Sequence, residues 1–233
     1  MSTVSHRNFG GRMVLLAVSV LMLGGCMLAR SPGSVSIIAP QLEPVEAESE
    51  PVVDWSVGVQ RPSADQMRDS DRIMVRVSRS RLQPWPEAAW LDSMPDMVHA
   101  MLIQTLEDSG HFAGVGRAGG LRSRFGLTSD IRRFEVVDDG DGRLSVDLAV
   151  RINLVHQPTG SVMATHSFEQ AERVDGRSLD DAVDAFEQAM SRLFLDITQW
   201  TVENGETAAA EMQERREGWR ERASGSERRG QSR

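Results

Sequence analysis

Residues 144–156 read LSVDLAVRINLVH, and Leu144, Val146, Leu148, Val150, Ile152 and Leu154 occupy every second position. Successive side chains on a strand point to opposite faces. This period therefore lines one face of a sheet with aliphatic groups and puts Ser145, Asp147, Arg151 and Asn153 on the other. A strand with one apolar and one polar face belongs to a sheet covered on one side. The neighbouring segments are turn formers, Asp138-Asp-Gly-Asp-Gly142 before it and Gln157-Pro-Thr-Gly160 after it. Beyond each turn lies another strand pattern, Phe125 to Val137 and Ser161 to about Glu172, so the economical reading is an antiparallel meander. In the first of the three strands the alternation slips between Ile131 and Phe134, which predicts a bulge near Arg132-Arg133.

Outward from the meander, Val53, Trp55, Val57 and Val59 alternate with Asp54, Ser56, Gly58 and Gln60, and Ile73, Val75 and Val77 repeat the pattern. Ser93 stands at an N-cap position with Pro95 in the first turn. Met94, Met97, Val98, Met101, Leu102, Thr105 and Leu106 then recur at helical spacing until Gly110. A short strand, His111 to Val115, follows. Ser178 and Asp181 have the spacing of a capping box, and Leu179, Val183, Phe186, Met190, Leu193, Phe194, Ile197 and Trp200 draw an apolar stripe along a helix of about 25 residues. The order β-β-α-(β)-β-β-β-α is satisfied by an α+β fold: a single mixed, mostly antiparallel sheet with two amphipathic helices packed on one face.

The 233 residues carry 34 Asp+Glu against 26 Lys+Arg, a net charge of −8, and one cysteine. All the basic residues except histidine are arginine; lysine and tyrosine are absent. An acidic chain of this kind is a poor match for nucleic-acid backbones, which need a basic surface, so no nucleic-acid partner is expected. One cysteine cannot build a disulfide framework or a cysteine-rich zinc site. Residues 1–25 read as an export signal: Arg7 and Arg12 without an acid, then the apolar run Met13 to Leu23, too short to span a bilayer. The run ends in Leu23-Gly24-Gly25-Cys26, which resembles a lipobox, so Cys26 is the expected lipidation site and the anchor is acyl chains. Cleavage there removes two arginines and no acid, which takes the charge from −8 to −10. Residues 26–50, with three prolines and four glutamates, read as a lipidated flexible tether. Residues 51–203 hold the periodic patterns of the folded domain, and 204–233 form a Glu/Arg-rich tail expected to be a frayed helix followed by disorder.

Signals of chemistry are few. Gly114-Val-Gly116-Arg-Ala-Gly119 has G-x-G-x-x-G spacing, but a helix precedes it and a strand follows it, the reverse of a dinucleotide fold, and it reads as a loop. Asp138, Asp139 and Asp141 suit a solvated turn, since an EF-hand loop begun at Asp139 would need glycine where Leu144 stands. His99, His111, His156 and His166 lack ligand spacing, and no metal or cofactor site is expected. His166 is in phase with Val162, Ala164 and Phe168, so a hydrogen-bonded core position is expected for it. Asp130 with Glu135, or Glu169 with Glu172, are the nearest approach to an acid/base pair, and no catalytic residues are assigned. Trp85 and Trp90 lie in a proline-bounded segment ahead of the first helix, either packed on the sheet or offered to a protein partner.

The chain also resembles a known family. Arg72-Ile-Met-Val75, Trp90-Leu-Asp92 with Pro95, Leu106-Glu-Asp-Ser-Gly-His-Phe112 leading to Val115, Phe134-Glu135, Phe168, and Ala185-Phe186 through Trp200 occur in that order behind a lipobox. Together they are similar to the auxiliary lipoproteins of ABC-type transporters, which include the paraquat-inducible protein C lipoproteins of MCE lipid transport systems. The resemblance implies a non-enzymatic lipoprotein on the periplasmic face of the outer membrane. It would be partnered by an MCE-domain protein and inner-membrane ABC components, and would move lipids or other hydrophobic molecules, with a homo-oligomer as a further expectation. Met27 after the cysteine, in place of Asp, resembles the outer-membrane sorting rule. The alternative is a lipoprotein activator or scaffold for a cell-wall synthase, although tethers of that class are usually much longer. Replacing Cys26→Ser is expected to release the protein from membranes; a variant that stays both membrane-bound and processed refutes lipidation at Cys26.

Overall fold

The computed structural model describes residues 34–44 and 53–230. The export signal, Cys26 and the glutamate-rich end of the predicted tether lie outside these residues. The strands are β1 (Ser36–Ile38), β2 (Val53–Val59), β3 (Ser63–Ala64), β4 (Arg72–Ser78), β5 (Arg81–Trp90), β6 (Phe112–Arg117), β7 (Phe125–Asp138), β8 (Leu144–His156) and β9 (Ser161–Arg173). The helices are α1 (Met94–Asp108) and α2 (Leu179–Gly230). The strands form one open mixed sheet.

The predicted meander is its backbone. β8 pairs antiparallel with β7 along its whole length and with β9 on the other side. On the remaining edge of β7, three shorter strands dock in parallel: β2 at Phe125–Leu127, β3 at Asp130–Ile131 and β4 at Glu135–Val137. β2 continues to β6, and β4 continues through β5 to β1. The expected bulge is present, with the β7–β8 register shifting between Ile131 and Arg133. Because of that extra residue Phe134 and Val136 return to the face already occupied by Phe125, Leu127 and Ile131, and all five are buried.

The helices cover that face. Met94, Met97, Val98, Leu102 and Leu106 of α1 join Ala182, Ala185, Phe186, Ala189, Met190, Leu193, Phe194 and Ile197 of α2 in one hydrophobic cluster with the alternate residues of β8. The start of α2 shows the reciprocal capping box: Asp181 N–H donates to Ser178 Oγ at 3.1 Å, while Ser178 N–H donates to the Asp181 carboxylate at 2.9 Å. At α1 the cap position is as expected but Ser93 makes no side-chain cap bond; its hydroxyl is turned to Asp96.

Four features differ from the sequence reading. Ser36–Ile38, assigned to the tether, is an edge strand on β5, and Gln41 N–H donates to Glu187 Oε1 at 2.7 Å. Residues 83–90, read as a proline-bounded segment on a loop, belong to strand β5, with Pro84 paired to β4 alone and Pro86 in a bulge without a ladder partner. The short strand expected at His111 to Val115 is present as β6, but it runs on through Gly116 and Arg117 into the glycine-rich segment read as a loop. Helix α2 runs 52 residues, far beyond the apolar stripe. Where it leaves the core, Gly205 passes so close to the buried Trp55 that a Cβ there would lie 2.3 Å from Trp55 Cζ2. Trp55 is itself wedged edge-on to Phe125 at 4.9 Å.

Alanine at 205 sets two effects against each other. Helix propensity favours it over glycine by about 1 kcal/mol, whereas forcing a methyl into a packed core costs typically ~1–3 kcal/mol. The overlap with a rigid ring is severe, so the second wins, and Gly205→Ala is expected to lower the urea midpoint in chemical denaturation.

Candidate interaction site

The proline-flanked tryptophans are separated by the geometry of β5. Between Pro84 and Ala89 the strand bulges away from β4, whose Met74 and Arg72 face those two positions, and within the bulge Glu87 takes a left-handed backbone (φ 53°). Trp90 is 2% exposed, edge-on to Phe186 at 5.1 Å and beside Phe134 at 6.1 Å. Of the two alternatives left open for it, partner contact and packing on the sheet, Trp90 takes the second: the ring is a core component joining β5, β7 and α2. Trp85, on the bulge, is half-buried and keeps ring surface open. Farther along β5 the sheet ends at β1, whose outer edge is unpaired among the described residues, and Ile37 and Leu91 are exposed there. Leu91 is tied to this edge by its N–H bond to Ile38 O at 2.8 Å. Apolar side chains beside a free strand edge suit protein contact.

Two arginine knots fix the β3–β4 loop, one to α1 and one to the sheet. Arg61 grips Asp96 with a bidentate fork (Nε to Oδ1 2.7 Å, Nη2 to Oδ2 2.9 Å) and reaches Asp69 at 2.8 Å. The Arg61 guanidinium, helped by the Ser93 hydroxyl, holds the Asp96 carboxyl down at about 2. The second knot is buried. Glu135, on the face opposite the helices, is fully enclosed and receives Arg76 Nε at 2.6 Å and the Arg68 guanidinium, which also meets Asp65. Burial works against the charge of Arg68, but Asp65 and Glu135 outweigh it and raise its pKa.

These contacts dispose of the carboxylate pairs. Asp130 is exposed and stands about 16 Å of strand from Glu135. Glu169 pairs with Arg133 at 3.2 Å on the open face, while Glu172 pairs with Arg192 of α2 on the helix side. His166 lies edge-on to Phe168 at 4.6 Å and near Trp200, but it is exposed, contrary to the expected core position, because β9 is an edge strand. The buried histidine is His99. Its Nδ1 accepts from Arg117 Nη1 at 3.2 Å, so its Nε2–H donates to Val59 O at 2.9 Å. Among the described residues no group of three or more His, Cys, Asp or Glu side chains could hold a metal ion, and no helix is long and apolar enough to cross a membrane.

A feature that no sequence motif announced is a cleft of about 870 Å³ between the tip of the β8–β9 hairpin and the extension of α2. Arg124, Val162, Met163, Met212, Arg216 and Arg220 are among its lining residues. They come from three distant stretches of chain, so no local spacing could reveal it.

Residues 37–198 match the family described as ABC-type transport auxiliary lipoprotein component. The chain belongs to that family. The match begins inside β1 and ends in the core-packed half of α2, so the helical extension lies beyond it. Protein XCC0632 of Xanthomonas campestris is similar in structure, with TM-score 0.70 and 29% identity over 75% of this chain and 99% of that one. A second solved structure, of an uncharacterized protein, has TM-score 0.56 at 15% identity over 71% of this chain and 97% of that one, a likeness of fold alone. The uncharacterized protein bll6063 of Bradyrhizobium diazoefficiens is 29% identical over 148 residues, 63% of this chain. The match spans only 39% of that relative's length.

The two tryptophans should separate by stability. Trp90→Ala is expected to cost about 3–5 kcal/mol in denaturant unfolding, whereas Trp85→Ala stays within about 1 kcal/mol.

Proposed function

We propose that this family member is a non-enzymatic periplasmic lipoprotein, anchored in the outer membrane through Cys26. In this reading it serves an inner-membrane ABC transporter and an MCE-domain protein in moving lipids or other hydrophobic molecules between membranes. The observation that carries the reading is the family match over residues 37–198, nearly the whole sheet-and-helix domain, behind the lipobox-like Leu23-Gly-Gly-Cys26. The geometry supports a contact role: its buried charges are locked into structural knots around Glu135, and the exposed Ile37 and Leu91 meet at the β1–β5 edge, with Trp85 half-buried on β5. That edge is suited both to a partner of the conduit and to a second copy of the chain. The short stretch between Cys26 and β1 holds the domain near its membrane.

The chain has no lysine, so side-chain amine crosslinkers find no target in it. The test therefore places a photoreactive phenylalanine analogue in place of Trp85 in the full chain in living cells. Recovery of a permease, an ATPase or an MCE-domain protein after irradiation and purification is the expected result. Recovery of penicillin-binding proteins with none of these would overturn the transport reading in favour of cell-wall synthase activation.

A further inference from the structure

The cleft beyond the sheet has a composition unlike the rest of this acidic chain. Arg124 at the start of β7 and Arg215, Arg216 and Arg220 of the α2 extension line it, together with His156. The one carboxylate among its lining residues, Glu217, receives Gln213 Nε2 at 3.1 Å. Among the described residues none of the four arginines forms an ion pair; Arg72, Arg151 and Arg173 are unpaired too, but they do not line this cleft, whereas these four share one space. Unneutralised guanidiniums converging on one space favour an anion, and their planar forks match phosphate oxygens two at a time.

The apolar component lies in the same cleft. Met163 and Met212 pack on the core from the two sides, and Val162 is 58% exposed beside them. Flexible thioethers accommodate chains of varied shape. An acidic peptide would satisfy the arginines and leave this strip in water; a free anion would do the same. The cavity volume is in the usual range for organic ligands, about 300–1,000 Å³.

From this juxtaposition we propose that the cleft binds a phospholipid of net negative charge, its phosphate held by Arg124, Arg216 and Arg220 and the first part of its acyl chains on Val162, Met163 and Met212. This deepens the transport reading and rests on it for the fate of the lipid, while the binding itself depends only on the cleft. The α2 extension that supplies half the site lies outside the region matched to the family, so the site is assigned to this chain and not to the family.

The test uses the full chain in non-ionic detergent, titrated calorimetrically with water-soluble dihexanoyl phosphatidylglycerol, dihexanoyl phosphatidylcholine and inorganic phosphate. Saturable binding of phosphatidylglycerol is expected, weakened about tenfold or more by the double variant Arg216→Gln/Arg220→Gln. Both positions are exposed, and circular dichroism checks that the helix persists. Val162→Asn, also exposed and neutral, should weaken phosphatidylglycerol binding, which a site for the bare anion would not show. Equal binding of phosphatidylcholine, equal binding of inorganic phosphate, insensitivity to the arginine variant, or no saturable binding would each overturn the proposal. No transporter is present in the measurement. Its failure therefore leaves the transport reading intact, and failure of the crosslinking test leaves lipid binding measurable.

Discussion

One edge of β7 is divided among three strands, and the rest of the domain is arranged around that division. The strand is 14 residues long, about 46 Å when extended. Its other edge is taken up by β8, so every remaining strand except β9 must reach the sheet through the shared edge. Such an edge can serve both wings only if its core-facing side chains stay in phase from end to end. A regular strand carrying Phe125, Leu127 and Ile131 on the core face would next direct Arg133 and Glu135 inward, burying two charges beneath the helices. The extra residue at Arg132 reverses this: Phe134 stacks on Phe186 at 5.1 Å, and Glu135 goes to the opposite face. The bulge thus decides both the aromatic core and the position of the buried carboxylate.

Arginine takes every cationic role in this chain, and its fork geometry shapes the electrostatics. Glu135 is buried on the side of the sheet without helices, and Arg68 and Arg76 close over it from the β3–β4 loop and from β4. The knot therefore fastens a loop to the sheet where no apolar cover exists. Burying such a carboxylate is costly in itself, and removing either arginine would leave it uncompensated. Arg133 bridges Asp147 and Glu169 across three strands of the same face. Other described arginines, such as Arg72, Arg151 and Arg173, also form no ion pair; those of the cleft differ in lining one shared space.

The long alternating strands, the bulge and the capping box were legible because each follows from a period or a local side-chain rule. Strand β5 was not, since Pro84 and Pro86 argue against a strand unless one knows that the outer edge there carries no partner. Ser36–Ile38 is too short to show a period, and only its pairing with β5 makes it a strand. For Trp90 both burial and exposure were consistent with its neighbours in sequence; contacts with Phe134 and Phe186, 44 and 96 positions away, decide it. His166 was placed on the right side of the sheet but at its margin, where facing the helices does not mean being covered. The reach of α2 was missed because its extension lacks an apolar stripe, and residues such as Ala, Glu, Arg and Gln sustain a helix by propensity alone.

That last point has a consequence for how α2 holds together. A short helix in water is marginal because its first turn must be organised before any hydrogen bond rewards it. In α2 the sheet fixes the opening turns, from the capping box at Ser178 to the contact of Gly205 with Trp55, so the remaining residues elongate a helix that has already nucleated. Elongation adds a bond for each residue fixed, which lets a charged and sparsely packed sequence continue to Gly230. The dependence is unequal: beyond Gly205, among the described residues, only Ala208, Ala209 and Met212 pack on the core, whereas the extension cut from the domain would have to nucleate by itself. One wall of the cleft is therefore as firm as the sheet, and the other borrows its order from the core.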